Sequence, residues 1–447
     1  MISLPSAAGR LLLEFGGAFS RPTYERWLVL VVGAIVTTGR RTVQNVLRTV
    51  DGLAPGHWSS YHRVLSRRRW SPWQLARVLA KLILQRFAAK GVVRLVGDDT
   101  VDEHRGKKVY GKGCHRDAVR STHSYTAFRW GHKWVVLSIL VNLPFASRPW
   151  ALPVLVALYR SRDWNKKHCR RHKTPVDLMR QLLAVLLRWF PKRRFTFAGD
   201  GAFSTHELAA FGHRRRTRLT IVGRFYPNAN LYAPPPKRRP GPGRPRVRGA
   251  KLLAPKEKLR TARKRRLNVS WYGGGRRDVR VATGTGCWYK AAQGLVPVRW
   301  IHVEDLTGTH RSEFFFTTDL GMALEAIIEA YTGRWSIETT FQEARAYLGL
   351  ETTCGRTEKT VLRAAPSLLC LYSLIVLLYA SAPTRFTCVA AVAWHGKKHV
   401  TFSDVISSVR RWLWFASLIS TPRTRSARLQ IPRTLRDRLL YALAPAA

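Results

Sequence analysis

The chain has 447 residues, 46% of them hydrophobic, so it is long and apolar enough to build two or three folded domains, and a disordered chain is excluded. Its 77 Lys and Arg outnumber its 26 Asp and Glu, which gives a formal net charge of +51. A positive field of this strength predicts a polyanionic partner, with nucleic acid preferred and an anionic membrane surface as the alternative.

The six cysteines are scattered, without the close pairs that a zinc ribbon needs, and they predict neither a disulfide framework nor such a ribbon. They fit a reducing cytoplasm. The cluster HCRRH at 168–172 has side chains that could bind a metal ion, but it lies in a run of basic residues whose charge would oppose a cation. The apolar runs at 27–36 and 367–380 are shorter than the roughly 20 residues of a membrane span, so no membrane partner is predicted.

Residues 1–90 are predicted to form a small helical domain. Apolar residues recur at helical spacing in the segments 24–36, 42–50 and 73–87. Arginines border the second segment and precede the third, and they could contact phosphates. The alternative is a helical support, packed on the rest of the chain, with its arginines in solvent.

From Gly91 the hydrophobic pattern changes to that of strands. The stretches 92–99, 125–144 and 150–159 predict a meander, which a helix at 174–190 follows, with Thr174 as its cap. A strand at 194–200 then ends in Asp200, and the helix after it is predicted to begin at Ser204. Strand, helix, strand and helix in this order imply a parallel pair beside the meander.

The segment after a further strand at 219–225 differs sharply in composition. Residues 234–251 are Pro, Gly and basic residues that cannot build a core, so they predict an exposed arm or a disordered linker. Strands return between 267 and 319, and Trp271, Trp288 and Trp300 lie among them.

A helix is predicted through Tyr331 and Arg345, because polar and apolar residues recur there at intervals of three and four. A single Glu flanked by Arg on such a helix usually forms a solvated ion pair. Two earlier strands that end in Asp change this expectation, since carboxylates from two strand ends and a late helix can converge on a pair of metal ions. Beyond it, 362–380 and 405–419 are predicted helices.

Three of these stretches together resemble the bacterial insertion-sequence transposases, whose catalytic domain has an RNase H-like fold and an Asp-Asp-Glu triad. The matching residues are DDT at 98–100, DGAF at 200–203, and the set Tyr331, Arg334 and Glu338. That set is similar to the family's Tyr-Arg-Glu-Lys signature, with Arg345 in the place of the Lys. The resemblance covers roughly residues 92–350.

The resemblance implies an α/β fold with an RNase H-like catalytic core, in which a mixed sheet is flanked by helices. The core would occupy 91–223 and 312–380, and the second of these parts carries the helix with Glu338. Residues 224–311 would form the basic arm and a β-rich insertion. Residues 1–90 would bind DNA ends, and 381–447 form a C-terminal helical region without an assigned role.

It also implies the site. Asp99, Asp200 and Glu338 would be the catalytic residues and would hold two divalent ions, Mg²⁺ with Mn²⁺ as a substitute. The residues expected to contact DNA are Tyr331, Arg334, Arg345, Trp300, Lys237, Arg238 and Arg239. Trp300, or else Trp288, would stack on a flipped base while the DNA end closes as a hairpin, and core packing is the alternative.

Only one of the neighbours Asp98 and Asp99 can lead the triad, because side chains on a strand alternate between its faces. Parity alone leaves the choice open, since a central strand is buried on both faces. The resemblance favours Asp99, which directly precedes Thr100. Asp98 would then orient a ligand or an arginine, or lie in solvent.

The implied function is a DNA transposase. Water would cut the transposon end, and the freed 3′-OH would then attack target DNA in the same site. The partners would be double-stranded DNA, at the terminal inverted repeats and the target, and a second copy of the chain on DNA, in the bacterial cytoplasm at the nucleoid. The alternatives are a metal-dependent nuclease without strand transfer and a DNA-binding protein whose triad has decayed.

Overall fold

The computed structural model describes residues 4–117, 121–236, 246–387, 399–419 and 432–444. Strands and helices alternate along the chain in the order that the sequence predicts for its central part. The strands are β1 Val93–Glu103, β2 Gly113–Arg116, β3 Phe128–Val141, β4 Trp150–Tyr159, β5 Phe195–Gly199, β6 Leu219–Arg224, β7 Leu231–Tyr232, β8 Arg265–Ser270, β9 Arg276–Lys290, β10 Gly294–Asp305 and β11 Glu313–Thr317.

The helices lie before, between and after these strands. They are α1 Ser6–Leu13, α2 Arg21–Val36, α3 Val43–Thr49, α4 Ser59–Ser66, α5 Pro72–Phe87, α6 Arg162–Lys167, α7 Pro175–Trp189, α8 His206–His213, α9 Pro255–Lys258, α10 Leu324–Gly333, α11 Ser336–Leu348, α12 Glu358–Ser381, α13 Thr384–Thr387, α14 Phe402–Ile419 and α15 Arg433–Leu443.

The strands form one large mixed sheet. Along it the order is β2, β3, β1, β5, β6, β11, β10, β9 and β7, while β4 pairs with β3 and β8 pairs with β9. β1 runs antiparallel to β3 and parallel to β5, and β5 runs parallel to β6. The parallel pair beside a meander therefore forms as the sequence predicts. The strands β8 to β10 continue this same sheet, joined to β6 through β11.

Helices cover both faces of the sheet near β1. A Cβ on Gly97 would come within 2.5 Å of Met179 in α7, so the side of β1 that carries Gly97 packs on that helix. Arg334 and Arg345 contact Asp98 and Thr100 on the opposite side. Because alternate residues of a strand point to opposite faces, α7 and α11 lie on different sides of β1.

The helix after β5 begins later than predicted. Thr205, not Ser204, caps α8 by accepting a hydrogen bond from the backbone N–H of Leu208. The Ser204 hydroxyl instead donates to the backbone oxygen of Asp200 and accepts from the N–H of Arg224. Ser204 thereby fixes the turn after β5, and the cap moves one residue on. The predicted cap at Thr174 is present, as part of a capping box with Asp177.

The N-terminal helices share one hydrophobic core with the sheet. The three predicted helical segments correspond to α2, α3 and α5, and helices α4 and α5 pack against α12. Arg41 is buried and donates to the backbone oxygens of Ala34 and Tyr347, so it is not free to contact a phosphate. The N-terminal helices thus pack on the rest of the chain, and Arg41 lies in the core and not in solvent.

Helix α12 is longer than its predicted segment and has 24 residues. By length and composition it would suit a membrane span, but 78% of its most apolar stretch is buried inside the fold. It packs on β4, α5 and α14. In this structure it is a core helix.

Candidate active site

Two aspartates meet where β1 and β5 run side by side. The pairing of these strands ends with Gly97 opposite Gly199, so the next residues, Asp98 and Asp200, lie at the same level. The Asp200 carboxylate accepts hydrogen bonds from the backbone N–H groups of Ala202, at 3.0 Å, and Phe203, at 3.2 Å. The turn after β5 thus fixes Asp200 beside Asp98.

Glu338 reaches this pair through an arginine. Arg334 Nη1 lies 3.2 Å from Asp98 Oδ2 and 2.9 Å from Glu338 Oε1, so one guanidinium bridges β1 and the first turn of α11. The Arg334 side chain is 10% exposed, whereas that of Glu338 is 46% exposed. The carboxylates of Asp98 and Glu338 are therefore joined by one buried cation, with Glu338 on the solvent side, while Asp200 lies beside Asp98.

The predicted single helix around Arg334 is broken at this residue. α10 ends at Gly333 and α11 begins at Ser336. Between them the backbone N–H groups of Arg334, Trp335 and Ile337 bond to the residue three positions earlier, which tightens the turn. The break places Arg334 at a helix junction, where its side chain can reach both Asp98 and Glu338.

The carboxylates are crowded. Burial, together with the negative charge of Asp200, raises the pKa of Asp98 to about 8, and Arg334 opposes both effects. Burial works against the charge of Arg334, but Asp98 and Glu338 more than offset it and raise the pKa of the guanidinium. Arg334 alone therefore does not neutralise this site. The three carboxylates keep an excess of negative charge, and their oxygens are a donor set that fits a hard divalent cation.

Asp99 has different partners. Its Oδ2 lies 2.9 Å from Lys133 Nζ, and its backbone N–H donates to Asp98 Oδ1 at 2.7 Å. Burial raises the pKa of Asp99, and Lys133 opposes the rise. Asp99 shares the side of β1 that carries Gly97 and packs on α7, away from Arg334. The structure thus joins Asp98, and not the predicted Asp99, to Arg334 and Glu338.

The other residues of the signature hold the site together. Tyr331 is buried and stacks on Phe315, with ring centroids 4.2 Å apart, and the Arg334 guanidinium lies 5.7 Å from its ring. Arg345 donates to the Thr100 hydroxyl and the Val101 carbonyl oxygen, and its Nε bonds to Glu351. Two of the three nitrogens of Arg345 are thus engaged within the protein, where they tie α11 to β1.

The predicted DNA-contacting tryptophan lies in the core. Trp300 is 2% exposed, and its ring covers Gly284 so closely that a Cβ there would lie 2.6 Å from it. This is the core packing that the sequence left as an alternative, because a buried indole cannot stack on a base. Trp288 is also buried. The predicted arm residues Lys237, Arg238 and Arg239 lie outside the described residues.

Sequence reasoning missed Lys133 and the direct contact of Arg334 with the carboxylates. A lone Lys in the apolar strand GHKWVVLSIL was the sequence signal for Lys133, since a buried cation needs a carboxylate partner. A groove beside the α10–α11 junction was also missed. Its lining includes Arg94, Arg148 and Trp335.

Comparisons with known proteins were made against families, curated proteins and solved structures. The sequence model of a family described as "DDE superfamily endonuclease" matches residues 14–278, more than half of the chain. The match includes Asp98 and Asp200 and ends before Glu338. No curated protein matches the chain.

Among solved structures, the chain is similar to a piggyBac transposase determined by cryo-EM in a synaptic complex with hairpin DNA. The sequence identity is 12%, and the similarity covers 97% of this chain and 81% of that one. The TM-score of 0.41 is too low for this likeness to carry an argument.

Proposed function

The chain belongs to the DDE superfamily endonucleases, and on that premise we propose that it is a DNA transposase. It cuts the ends of a mobile element and joins the freed 3′-OH ends to target DNA. The observation that carries the proposal is the position of Asp98, which lies beside Asp200 at the strand ends and is joined to Glu338 through Arg334.

The three carboxylates are the metal ligands of this proposal, with Asp98 in the place that the resemblance gives to Asp99. Hard oxygen donors suit Mg²⁺, for which Mn²⁺ can substitute. Two such ions, when bound, activate the attacking oxygen and stabilise the leaving oxygen of a phosphodiester. The negative charge of Asp200 beside Asp98 supports this assignment, since a bound cation would offset the repulsion between the two carboxylates.

The remaining residues act on the carboxylates and on DNA. Arg334 is a positioning residue that holds Glu338 at Asp98, and Tyr331 packs beneath its guanidinium. Arg345 anchors α11 to β1. Under this proposal Arg334 and Arg345 would also contact phosphate oxygens of the DNA, which is the role that the signature implies for them. Lys133 pairs with Asp99 on the other side of β1.

The fold supports the same proposal. Along β4, β3, β1, β5 and β6, three antiparallel strands adjoin two strands parallel to β1, which is the mixed order that an RNase H-like core requires. We assign this core to 91–223 and 312–380, with β7 to β10 in the insertion between them. Residues 1–90 would bind transposon ends, and the role of 381–447 stays unassigned.

The partner of the proposal is double-stranded DNA, at the terminal inverted repeats and the target. The net charge of +51 supports it, and the basic residues Lys237, Arg238 and Arg239 would follow the DNA backbone. The groove with Arg94, Arg148 and Trp335 reaches Ser336 at the start of α11, and its two arginines suit a DNA strand that approaches the site. Two copies of the chain would pair two DNA ends in the bacterial nucleoid.

The assay of this proposal uses donor DNA that carries the sequences flanking the reading frame, a target plasmid and Mg²⁺. The wild-type chain is expected to give cleaved ends and joined products. Glu338→Gln should abolish both but leave DNA binding nearly intact, because it removes a ligand and the charged surface persists. Cleaved ends without joined products would identify a nuclease, and no cleavage by the wild type would identify a decayed DNA-binding protein.

A further inference from the structure

A second group of ligand-type side chains lies farther along β1. Asp102 is on the same side of the strand as Asp98, and the strand register places it opposite His132 on β3. His104 follows two residues after Asp102. All three side chains are buried: Asp102 is 0% exposed, His104 8% and His132 1%. At about 3.3 Å per residue, Asp102 lies roughly 13 Å along β1 from Asp98.

The separations between these groups are those of ligands and not of hydrogen-bonded pairs. His132 Nδ1 lies 3.6 Å from Asp102 Oδ1, and His104 Nε2 lies 3.6 Å from Asp102 Oδ2. One ligand atom from each residue falls within 4.8 Å of the others. Hydrogen bonds of this type are about 2.7–3.2 Å long. Around a tetrahedral ion with bonds of about 2.1 Å, neighbouring ligand atoms are about 3.4 Å apart.

The hydrogen bonds of His132 point the same way. Its Nε2 donates to the backbone oxygen of Tyr110 at 2.9 Å, since a carbonyl oxygen can only accept, and its Nδ1 is left facing Asp102 Oδ1 at 3.6 Å. Within the described part of the chain, neither His132 Nδ1 nor Asp102 Oδ2 has a hydrogen-bond partner. Buried polar atoms without partners are unfavourable, and a bound cation would satisfy both of them.

The outer contacts resemble those of a protein metal site. Metal-binding histidines commonly donate their second N–H to a backbone carbonyl, as His132 does to Tyr110. The backbone N–H of His132 also donates to Asp102 Oδ1 at 3.1 Å, which orients the carboxylate. The Thr353 hydroxyl lies 3.5 Å from His104 Nε2, so the segment after α11 covers the group.

We propose that Asp102, His104 and His132 bind one structural Zn²⁺ ion, with a water molecule in the fourth position. Two imidazoles and one carboxylate suit zinc, whereas Mg²⁺ prefers an all-oxygen set. The ion would clamp β1 to β3 beside the carboxylates of the active site. It would stabilise the sheet without taking part in phosphodiester chemistry.

The test begins with the zinc content of the untagged, full-length protein, measured by mass spectrometry after dialysis. The wild type is expected to retain about one Zn²⁺ per chain, and the double variant His104→Gln, His132→Gln to lose it, since two of the three protein ligands are removed. Two controls should keep their zinc: Glu338→Gln in the active site, and His302→Gln at a buried histidine outside the group.

A second measurement uses only the wild type, so it tests the proposal even if the double variant does not fold. Protein stripped of zinc and loaded with Co²⁺ should show the intense visible absorption of a tetrahedral site, and Zn²⁺ should raise its melting temperature. Equal zinc in the wild type and the double variant would overturn the proposal. So would a stripped wild type that gives no tetrahedral Co²⁺ spectrum and no thermal shift, because the group would then be a metal-free His–Asp–His network.

Discussion

At the scale of single residues, Arg334 is the cation that contacts two carboxylates of the candidate active site. Its guanidinium bonds to Asp98 and Glu338 from a helix junction, and Asp200 adds a third carboxylate without a cation of its own among these contacts. A buried charge that loses its partner is costly, while an exposed pair contributes little. The Asp98–Arg334 pair is therefore the part of this arrangement that stability measurements can detect.

Arg334→Gln should lower the free energy of unfolding of the metal-free protein by roughly 2 kcal/mol, because the hydrogen bond from the guanidinium to Asp98 is lost and this carboxyl then takes up a proton. The half-exposed Glu338 adds little to this loss. Urea unfolding at pH 8 measures it, with Arg21→Gln on the exposed surface as the control. Mg²⁺ should restore part of the loss. Equal stability of the two variants would show that Arg334 does not compensate the carboxylates.

The raised pKa of Asp98 predicts a pH dependence. Its folded pKa, about 8, lies above the value of about 4 in an unfolded chain, so between these values the folded state binds more protons than the unfolded state. The stability of the metal-free protein should therefore fall as pH rises from 5 to 8. Asp98→Asn should flatten the fall, measured by urea unfolding at several pH values. If stability falls with pH as steeply in Asp98→Asn as in the wild type, the raised pKa of Asp98 is contradicted.

At the scale of elements, most segments followed from local pattern, and the errors arose where tertiary contacts decided. The cap at Thr174 and the strands β1, β4 and β5 were predictable because capping residues and buried apolar runs are local signals. The four-residue strand β2 gives no such signal. The break at Arg334 was not predictable, because helical spacing continues through it while the contacts with β1 lie far away in sequence.

The active site shows the same limit. Asp200 and Glu338 could be predicted from a strand end and a helical signature. The sequence could not decide between Asp98 and Asp99, because helices cover both faces of β1. The two residues differ only in which helix their face of the strand packs on, α11 or α7. Trp300 had no distinguishing pattern either, because a tryptophan in a strand looks alike from sequence whether it packs in the core or faces DNA.

Trp300→Ala should lower the free energy of unfolding by roughly 3–5 kcal/mol, because it empties a site in the core next to Gly284. The folded fraction should bind DNA as the wild type does. Trp130→Ala, which removes a 61% exposed indole, is the matched control and should cost much less. Chemical denaturation and gel shifts give both quantities. A stable Trp300 variant with weakened binding would return this residue to the DNA interface.

At the scale of the whole molecule, the proposed function predicts that the excess of positive charge governs the encounter with DNA. Phosphate contacts release counterions, so affinity should fall steeply with salt for any duplex. The contribution of the basic arm to DNA binding can be tested without changing the fold if Arg248 is kept. The Arg248 guanidinium packs on the rings of Tyr232 and Tyr289 and so has a structural contact. The residues to neutralise are therefore those before it.

Changing Lys237, Arg238 and Arg239 together to Gln should reduce the slope of log affinity against log salt by up to about 2.7, or about 0.9 for each phosphate that the variant no longer neutralises. A salt series of gel shifts measures the slope. The control changes three scattered, exposed lysines to Gln, at positions 90, 107 and 256. If both triple variants keep the slope of the wild type, the arm is a linker that does not contact DNA.

The most direct test of the central claim compares Asp98→Asn with Asp99→Asn in the cleavage and strand-transfer assay, with the same donor DNA in Mg²⁺. The neighbours are both buried carboxylates, so each controls for the other. Asp98→Asn is predicted to eliminate cleaved and joined products, because Asp98 lies with Asp200 and Glu338. Asp99→Asn is predicted to reduce the rate without abolishing it, because only its ion pair with Lys133 is removed. An active Asp98→Asn beside an inactive Asp99→Asn would contradict the account.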